Sequence, residues 1–466
     1  MSGTVNNPGT PSNPNGDGGM MLDNSATPGC EKPGKNLNCF PLTWKTNPEY
    51  WQDAGATWQV YQDKDNFEDN MLPYFKQYQE ASQDANDPLT KYGNSYIGLD
   101  KFYDDAEAGT LPMISIIIGP AELAEHPPYM PHDGAWLVKQ VVDAVTKGAA
   151  YNETALIISY DEPGGFGDHV VPYHAPKGTP GEWIDDPYDI FGETPVGPGF
   201  RIPAMIVSPW TRGGYVFTEH ADHNSQTMFV EEWLAAHGYK NIQQENITPW
   251  RREHMSNLVK AFDFDNPDFS LPTVASAPNP LRNWNAPITT DGPLGALDGN
   301  YIGYSKCLDT YNKTQPPVPF GSENENADVG KLAEEGFKQV RGDLTEGRYL
   351  VFEQNGKALA RVGNKLSATK ATEKHDDICQ RWVLHQRGDG DSNVFKISSA
   401  GDGRFIASDS TLTDSEDKAA EISISDLGDG KGYSLAFESG QSLQVRSDEL
   451  TIDSEGYAVY SVTYHS

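Results

Sequence analysis

Three short apolar runs, each cut off by turn residues, constrain this chain more than any other feature. Met113-Ile-Ser-Ile-Ile-Ile118 stops at Gly-Pro, Ala155-Leu-Ile-Ile-Ser-Tyr160 at Asp-Glu, and Ile202-Pro-Ala-Met-Ile-Val207 at Ser-Pro-Trp. All three are rich in β-branched residues and have the length of a strand. Helical spacing lies between and after them: Trp136, Val138, Val141, Val142 and Val145 over 136–146, then Met228, Phe229, Trp233 and Leu234 over 226–236. Upstream, Trp58–Tyr61 alternates as a strand does, and Phe67, Met71, Tyr74, Phe75 and Tyr78 predict a helix over 66–81. Buried strands alternating with amphipathic helices predict an α/β domain with a mainly parallel sheet covered on both faces. Ligands of such sheets bind beyond the carboxyl ends of the strands.

Polar residues gather where those ends are expected. The first run leads to Glu125-His126-Pro127-Pro128, and the second to Asp161-Glu162, a glycine-rich stretch and Asp168-His169. The third leads to Ser208-Pro-Trp-Thr-Arg212 and then His220-Ala-Asp222-His223-Asn-Ser225. Each cluster has an ordinary reading: a loop with a surface imidazole, acids that reach solvent, Ser225 as a helix cap. Arg212 can hold a phosphate or pair with one of the acids around it. Together they predict His, Asp/Glu and His/Asp on one edge of one sheet. A hard divalent cation suits such a set, binding phosphoryl oxygens and activating an attacking hydroxyl.

The chain changes character after the third cluster. From 263 to 344 it is rich in Pro, Asn, Gly and acids without periodicity, as expected of a linking or wrapping segment. An internal repeat follows. Gly356-Lys-Ala-Leu359, Gly403-Arg-Phe-Ile406 and Gly440-Gln-Ser-Leu443 align, with Leu366, Leu412 and Leu450 at similar offsets. Strands are expected before each glycine (349–352, 395–398, 433–437) and at the close of each unit (382–385, 422–425, 460–463). Three such units predict an all-β domain of the β-trefoil type, with a small β-sandwich as the alternative. The expected division is therefore a catalytic domain over 1–262, a connecting segment over 263–344 and a β-rich accessory domain over 345–466.

Charge narrows the partners. Against 35 Lys and Arg stand 67 Asp and Glu, a formal net charge of −32. Nucleic-acid binding depends on neutralising phosphates and is excluded on this balance; anionic membrane surfaces are poor partners for the same reason. The first twenty residues are polar and read neither as a signal peptide nor as a membrane span. Cys30 and Cys39, nine apart in a Gly/Pro/Asn-rich loop, fit a local disulfide, with two free thiols as the alternative. Sequons at Asn152, Asn246 and Asn312 suit a secreted glycoprotein.

Three long stretches carry a resemblance: GPAELAEHPPYMPHDGAWLVKQVVDAV, NETALIISYDEPGGFGDHVVPYH and GPGFRIPAMIVSPWTRGGYVFTEHADHNSQTMFVEEWL. Through them, residues 30–238 closely resemble the phosphoesterase family of bacterial and fungal phospholipases C and an acid phosphatase. The resemblance implies an alkaline-phosphatase-like α/β/α sandwich, a divalent metal ion and cleavage of phosphoric esters, with phospholipids such as phosphatidylcholine or phosphatidylglycerol as substrates. It implies metal ligation by Asp161, Glu162 and His223, catalytic roles for His126 and His169, and substrate contacts by Arg212, His220 and Asp222. Members of the family open with a metal-binding Glu-Asn-Arg-Ser-Phe-Asp-like segment and carry a Ser or Thr nucleophile before Pro-Asn-Arg; this sequence contains neither. The expectation is that Met1 is internal to a longer, secreted protein, and that the polypeptide as written is inactive. Two rival readings remain: a phosphomonoesterase, and a non-catalytic protein that binds glycans or lipids through its C-terminal β domain.

Overall fold

The computed structural model describes residues 3, 41–65, 69–126, 131–164, 168, 170–185, 191–277, 281–282, 286–287, 335–387, 393–428, 430–440, 442–443 and 456–464, without the side chains of 132, 184 and 185 and of the short pieces 281–282 and 286–287. The expected Cys30–Cys39 bridge, Cys307, Asn312 and His169 lie outside these residues. The chain is a mixed α/β protein that divides into two compact units. The first comprises Met1–Pro209, Ala221–Asn257 and Phe269–Pro316; the second comprises Trp210–His220, Leu258–Asp268 and Pro317–Ser466.

In the first unit, helix α1 (Asn47–Ala54) leads into strand β1 (Trp58–Tyr61). Helix α2 is shorter than the spacing predicts, Lys76–Ala81 only. Pro73 sits in a single 3-10 turn, Leu72–Tyr74, and Phe75 after it is extended. Proline supplies no N–H to an α-helix, and the extended Phe75 instead bridges to Leu42. Helix α3 (Leu99–Ala108) buries Leu99, Phe102 and Ala106 at helical spacing. Next come strand β2 (Ile114–Ile117), helix α4 (Pro131–Lys147) and strand β3 (Leu156–Ser159). A small pair, β4 (Trp183–Asp185) and β5 (Glu193–Pro195), precedes strand β6 (Ala204–Val207), helix α5 (His223–Ala236) and helix α6 (Pro249–His254).

The apolar faces predicted for 136–146 and 58–61 do meet in a core. Tyr61, Leu99, Phe102, Trp136, Val142 and Leu156 belong to one buried cluster. Each such side chain contributes roughly 1.5–3 kcal/mol over leaving it in water. Helices α3 and α4 approach closely because Gly148 has no side chain: a Cβ there would stand 2.2 Å from the Ala106 carbonyl oxygen.

Strand pairing departs from the single parallel sheet. β1 and β2 are parallel, whereas β3 and β6 run antiparallel, with Leu156 opposite Val207 and Ser159 opposite Ala204. Parallel neighbours need a long crossover, usually helical. Between β3 and β6 the described chain makes the β4–β5 pair and irregular segments, with no α-helix among the described residues. Asp161 and Ser208 therefore leave opposite ends of this ladder. The expectation that the polar clusters share one edge of one sheet is corrected accordingly.

In the second unit strand β7 (Val216–Phe217) joins a sheet built from 336 onward: β8 (Gly336–Arg341), β9 (Tyr349–Gln354), β10 (Lys357–Val362), β11 (Lys365–Lys370), β12 (Trp382–Gln386), β13 (Val394–Ser399), β14 (Phe405–Ile406), β15 (Leu412–Thr413), β16 (Ile422–Asp426), β17 (Tyr433–Phe437) and β18 (Ala458–Thr463). The main path runs β7-β8-β18-β9-β12-β13-β14-β15, with β10 and β11 branching from β9 and with β16 and β17 branching from β13. Among the described strands of this sheet only β7–β8 is parallel. Every strand expected around the repeat is present, and Leu350, Phe352, Leu359, Trp382, Phe395 and Ile422 fill the core. The three repeat glycines share a conformation: Gly356, Gly403 and Gly440 have φ of 74°, 73° and 75°. Only glycine enters that region without steric cost, which explains its recurrence. At the first of them Asn355 (φ 52°) and Gly356 form the two-residue turn between β9 and β10.

Candidate functional site

The carboxyl end of β3 is where the predicted residues of the first unit draw together. Tyr160 follows the strand, and its N–H donates to the Pro203 carbonyl at 3.4 Å. His223, the first residue of α5, donates a ring N–H from Nε2 to the Tyr160 carbonyl at 2.9 Å. Gln226, one turn on, donates to Ser159 Oγ at 2.7 Å, so α5 is tied to the strand end at two points. Asp161 and Glu162 come next in the chain and are exposed. His126, from the segment after β2, places Nε2 3.8 Å from Glu162 Oε1, and both side chains are about half exposed.

Beside them is a pair that sequence reasoning passed over. The Tyr160 phenol donates to Glu125 Oε1 at 2.7 Å. Burial pushes that phenol well above its ordinary pKa, and the hydrogen bond and negative charge of Glu125 add to the shift. Gly134 in the first turn of α4 makes room, since a Cβ there would meet Glu125 Cγ at 2.3 Å. Glu125 could have been flagged from its place beside His126. Tyr160 gave no signal except its position at the end of an apolar run.

Asp222 has two structural tasks. Its Oδ1 accepts the Ser225 N–H at 3.1 Å, and the Ser225 hydroxyl returns a contact to the Asp222 N–H at 3.0 Å. Asp222, and not Ser225, is thus the N-cap of α5. Its Oδ2 meets Arg251 Nη1 at 2.6 Å, while Arg251 Nη2 lies 2.9 Å from Glu182 Oε2. Burial works against the guanidinium charge, but Glu182 and Asp222 outweigh it and hold the Arg251 pKa above its ordinary value. Nothing in the sequence links Glu182 to Arg251, which are 69 residues apart. Asp168, next to the predicted His169, is held by Arg201 through Nε at 2.8 Å and Nη2 at 2.7 Å.

The remaining predicted contacts, Arg212 and His220, belong to the second unit. There Arg212 Nε lies 3.8 Å from Asp268 Oδ2, the acid-pairing alternative of the sequence reading. The structure therefore groups His126, Asp161, Glu162 and His223 around one strand end, gives Asp222 to a cap and an ion pair, and seats Arg212 and His220 on other segments. A hard divalent cation takes about six or more oxygen ligands. Among the described residues no three His, Cys, Asp or Glu side chains stand close enough to share one. Asp161 and Glu162 offer two carboxylates, short of a coordination set, so the described residues alone do not fit a bound metal.

Comparison with known proteins bears on the same stretch of chain. The non-hemolytic phospholipase C of Pseudomonas aeruginosa is 39% identical over 242 residues, covering 48% of this chain and 34% of the relative. The non-hemolytic phospholipase C of Burkholderia pseudomallei is 35% identical over 281 residues, 52% of this chain and 39% of the relative. Phospholipase C A of Mycobacterium tuberculosis is 33% identical over 294 residues, 59% of this chain and 55% of the relative. The chain thus spans between about a third and about half of the length of these relatives. The sequence profile of the phosphoesterase family matches residues 1–234, half of the chain and every element that builds the strand-end cluster, so the chain belongs to the phosphoesterase family.

Proposed function

We propose that this chain is part of a phosphoric-ester hydrolase of the phospholipase C type, which cleaves a phospholipid into diacylglycerol and a phosphorylated headgroup. The observation that carries the reading is the His126–Glu162 contact at 3.8 Å beside His223 at one strand end. It falls within the 234 residues matched to the family, whose relatives here are named phospholipases C. In the proposed reaction the oxygen of a hydroxyl nucleophile, water in the net hydrolysis, bonds to phosphorus and gives its proton to solvent as the bond between phosphorus and the glycerol oxygen breaks, and His126 Nε2 delivers a proton to the departing oxygen. Glu162 holds the imidazolium in place for that transfer. His223, fixed by the Tyr160 carbonyl, lines the phosphate side, with His169 as a further imidazole. The divalent metal ion of this reading would need ligands beyond the described residues, to which this strand end would add the carboxylates of Asp161 and Glu162.

The same proposal reads the first unit as an alkaline-phosphatase-like α/β/α sandwich and the β part as a trefoil. Three glycines in one conformation, each preceded by a strand, support the second of these. It places the protein outside the cell, in keeping with three sequons.

The test is hydrolysis of p-nitrophenyl phosphorylcholine, phosphatidylcholine and p-nitrophenyl phosphate by the 466-residue chain and by the longest product of its gene. Diester cleavage outrunning monoester cleavage in the longer product is the expected result. Faster monoester cleavage makes the protein a phosphomonoesterase, and no hydrolysis by either product overturns the reading. In the active form His126→Gln and Glu162→Gln are each expected to lower kcat by roughly 10²–10⁴-fold with KM little changed.

A further inference from the structure

Within the second unit lies a cavity of about 300 Å³, and Tyr215, Phe264, Asp265, Gln339, Arg341 and Asp426 are part of its wall. That is the lower end of the roughly 300–1,000 Å³ usual for small-ligand sites. Two of its aromatic rings are both exposed and held. The Arg341 guanidinium carbon stands 3.9 Å from the Tyr215 ring centroid. Nη1 of the same guanidinium donates to the Trp210 and Ala261 carbonyls, at 3.0 Å each. Tyr215 nevertheless remains 37% exposed. Phe264 is 53% exposed, and its ring is stacked on Phe262 with centroids 5.3 Å apart and planes 3° from parallel. Large apolar rings left in water and fixed by their neighbours are platforms for stacking.

Acceptors and donors stand beside the rings. The Asp265 carboxylate and the Gln339 amide make no side-chain hydrogen bond among the described residues. Asp426 accepts the Gly428 N–H through Oδ1 at 2.9 Å, which leaves Oδ2 for a ligand. Lys260, also in the wall, is engaged by Asp343 at 2.7 Å and Glu219 at 3.5 Å. The charges select against ions of either sign. Asp263, Asp265 and Asp426 line the cavity and repel an anion. A cation would face Arg341 and Lys260, and the Tyr215 ring already has a guanidinium on one face.

From the two platforms and the open acceptors we infer that this cavity binds a neutral carbohydrate of one or two rings. The apolar faces of the sugar lie on Tyr215 and Phe264, and its hydroxyls donate to Asp265, Asp426 and the Gln339 amide oxygen. The inference uses only residues of the second unit and is independent of the hydrolase reading.

The full chain, fluorescently labelled, is applied to immobilised neutral oligosaccharides ending in glucose, galactose, mannose or N-acetylglucosamine, with acidic glycans and phosphocholine alongside. The best neutral probe is then titrated by calorimetry. Retention on a neutral glycan is expected, with affinity falling roughly tenfold or more in Tyr215→Ala and in Phe264→Ala, and kept in Tyr215→Phe. Asp265→Asn, on an exposed side chain with no partner to lose, is expected to weaken binding too. It keeps the test decisive should Tyr215→Ala fail to fold. No retention on any neutral glycan overturns the proposal. So does an affinity untouched by Phe264→Ala and Asp265→Asn, or a preference for phosphocholine or acidic glycans.

Discussion

Arg251 joins two carboxylates in the interior of the first unit. Its side chain is 3% exposed, that of Glu182 is 0% exposed, and that of Asp222 is 9% exposed. Removing one member of such a group leaves the others charged and dry, so Arg251→Ala is expected to cost about 3–5 kcal/mol in urea unfolding. Asp222 allows its two tasks to be separated. Asp222→Asn keeps a side-chain oxygen for the α5 cap and loses the charge facing Arg251, whereas Asp222→Ala loses both. The alanine variant should be the less stable by about 1 kcal/mol, the usual worth of a cap. In the second unit, burial lowers the His375 pKa below 6.5 against the opposing pull of Asp376, and burial raises that of Glu353 3.7 Å away. In both groups burial disfavours the charged form. The unfolded chain takes up a proton on His375 at higher pH than the folded one, so stability falls as the pH drops below 6.5. His375→Asn, which also suits the positive φ of 51° at that position, should flatten the decline in melting temperature between neutral and mildly acidic pH. At this scale the sequence was half legible. Histidines and acids next to apolar runs announced themselves, but Arg251 with Glu182 and Tyr160 with Glu125 are joined only by the fold.

Among the elements, those with a strong period came out as read. α4 carries the face formed by Trp136, Val141, Val142 and Val145, and the six strands expected around the C-terminal repeat are all present. Two failures have physical causes. Phe67 to Tyr78 keep helical spacing, but Pro73 breaks the hydrogen-bond ladder and Phe75 pairs with Leu42 instead. Apolar runs reveal that strands exist, not which way neighbours run, and so the antiparallel β3–β6 ladder could not be read from 155–160 and 202–207. The close approach of α3 and α4 is equally invisible in the sequence. It can be tested directly: Gly148→Ala pushes a methyl group toward the Ala106 carbonyl and should cost about 1–3 kcal/mol, measured by thermal or urea unfolding.

For the molecule as a whole, each unit has cores of its own. Leu350, Trp382 and Phe395 sit in one cluster, and Leu99, Phe102 and Trp136 in another. Scanning calorimetry is expected to resolve two transitions, with His375→Asn moving only the one assigned to the second unit. A net charge of −32 predicts that the chain neither sediments with phosphatidylserine-rich vesicles nor binds DNA-cellulose at about 0.15 M salt. No helix among the described residues is long and apolar enough to cross a membrane.

The placement of β7 has a consequence for synthesis on the ribosome. Val216 pairs with Val340, so the first strand of the second unit is made long before its neighbour. At about 5–20 residues per second the interval is roughly 6–25 s. β8 then waits in turn for β18, which lies between it and β9. Nascent Val216 and Phe217 thus lack their partner strand for that interval, and a helper that shields unpaired strand edges would act during that window.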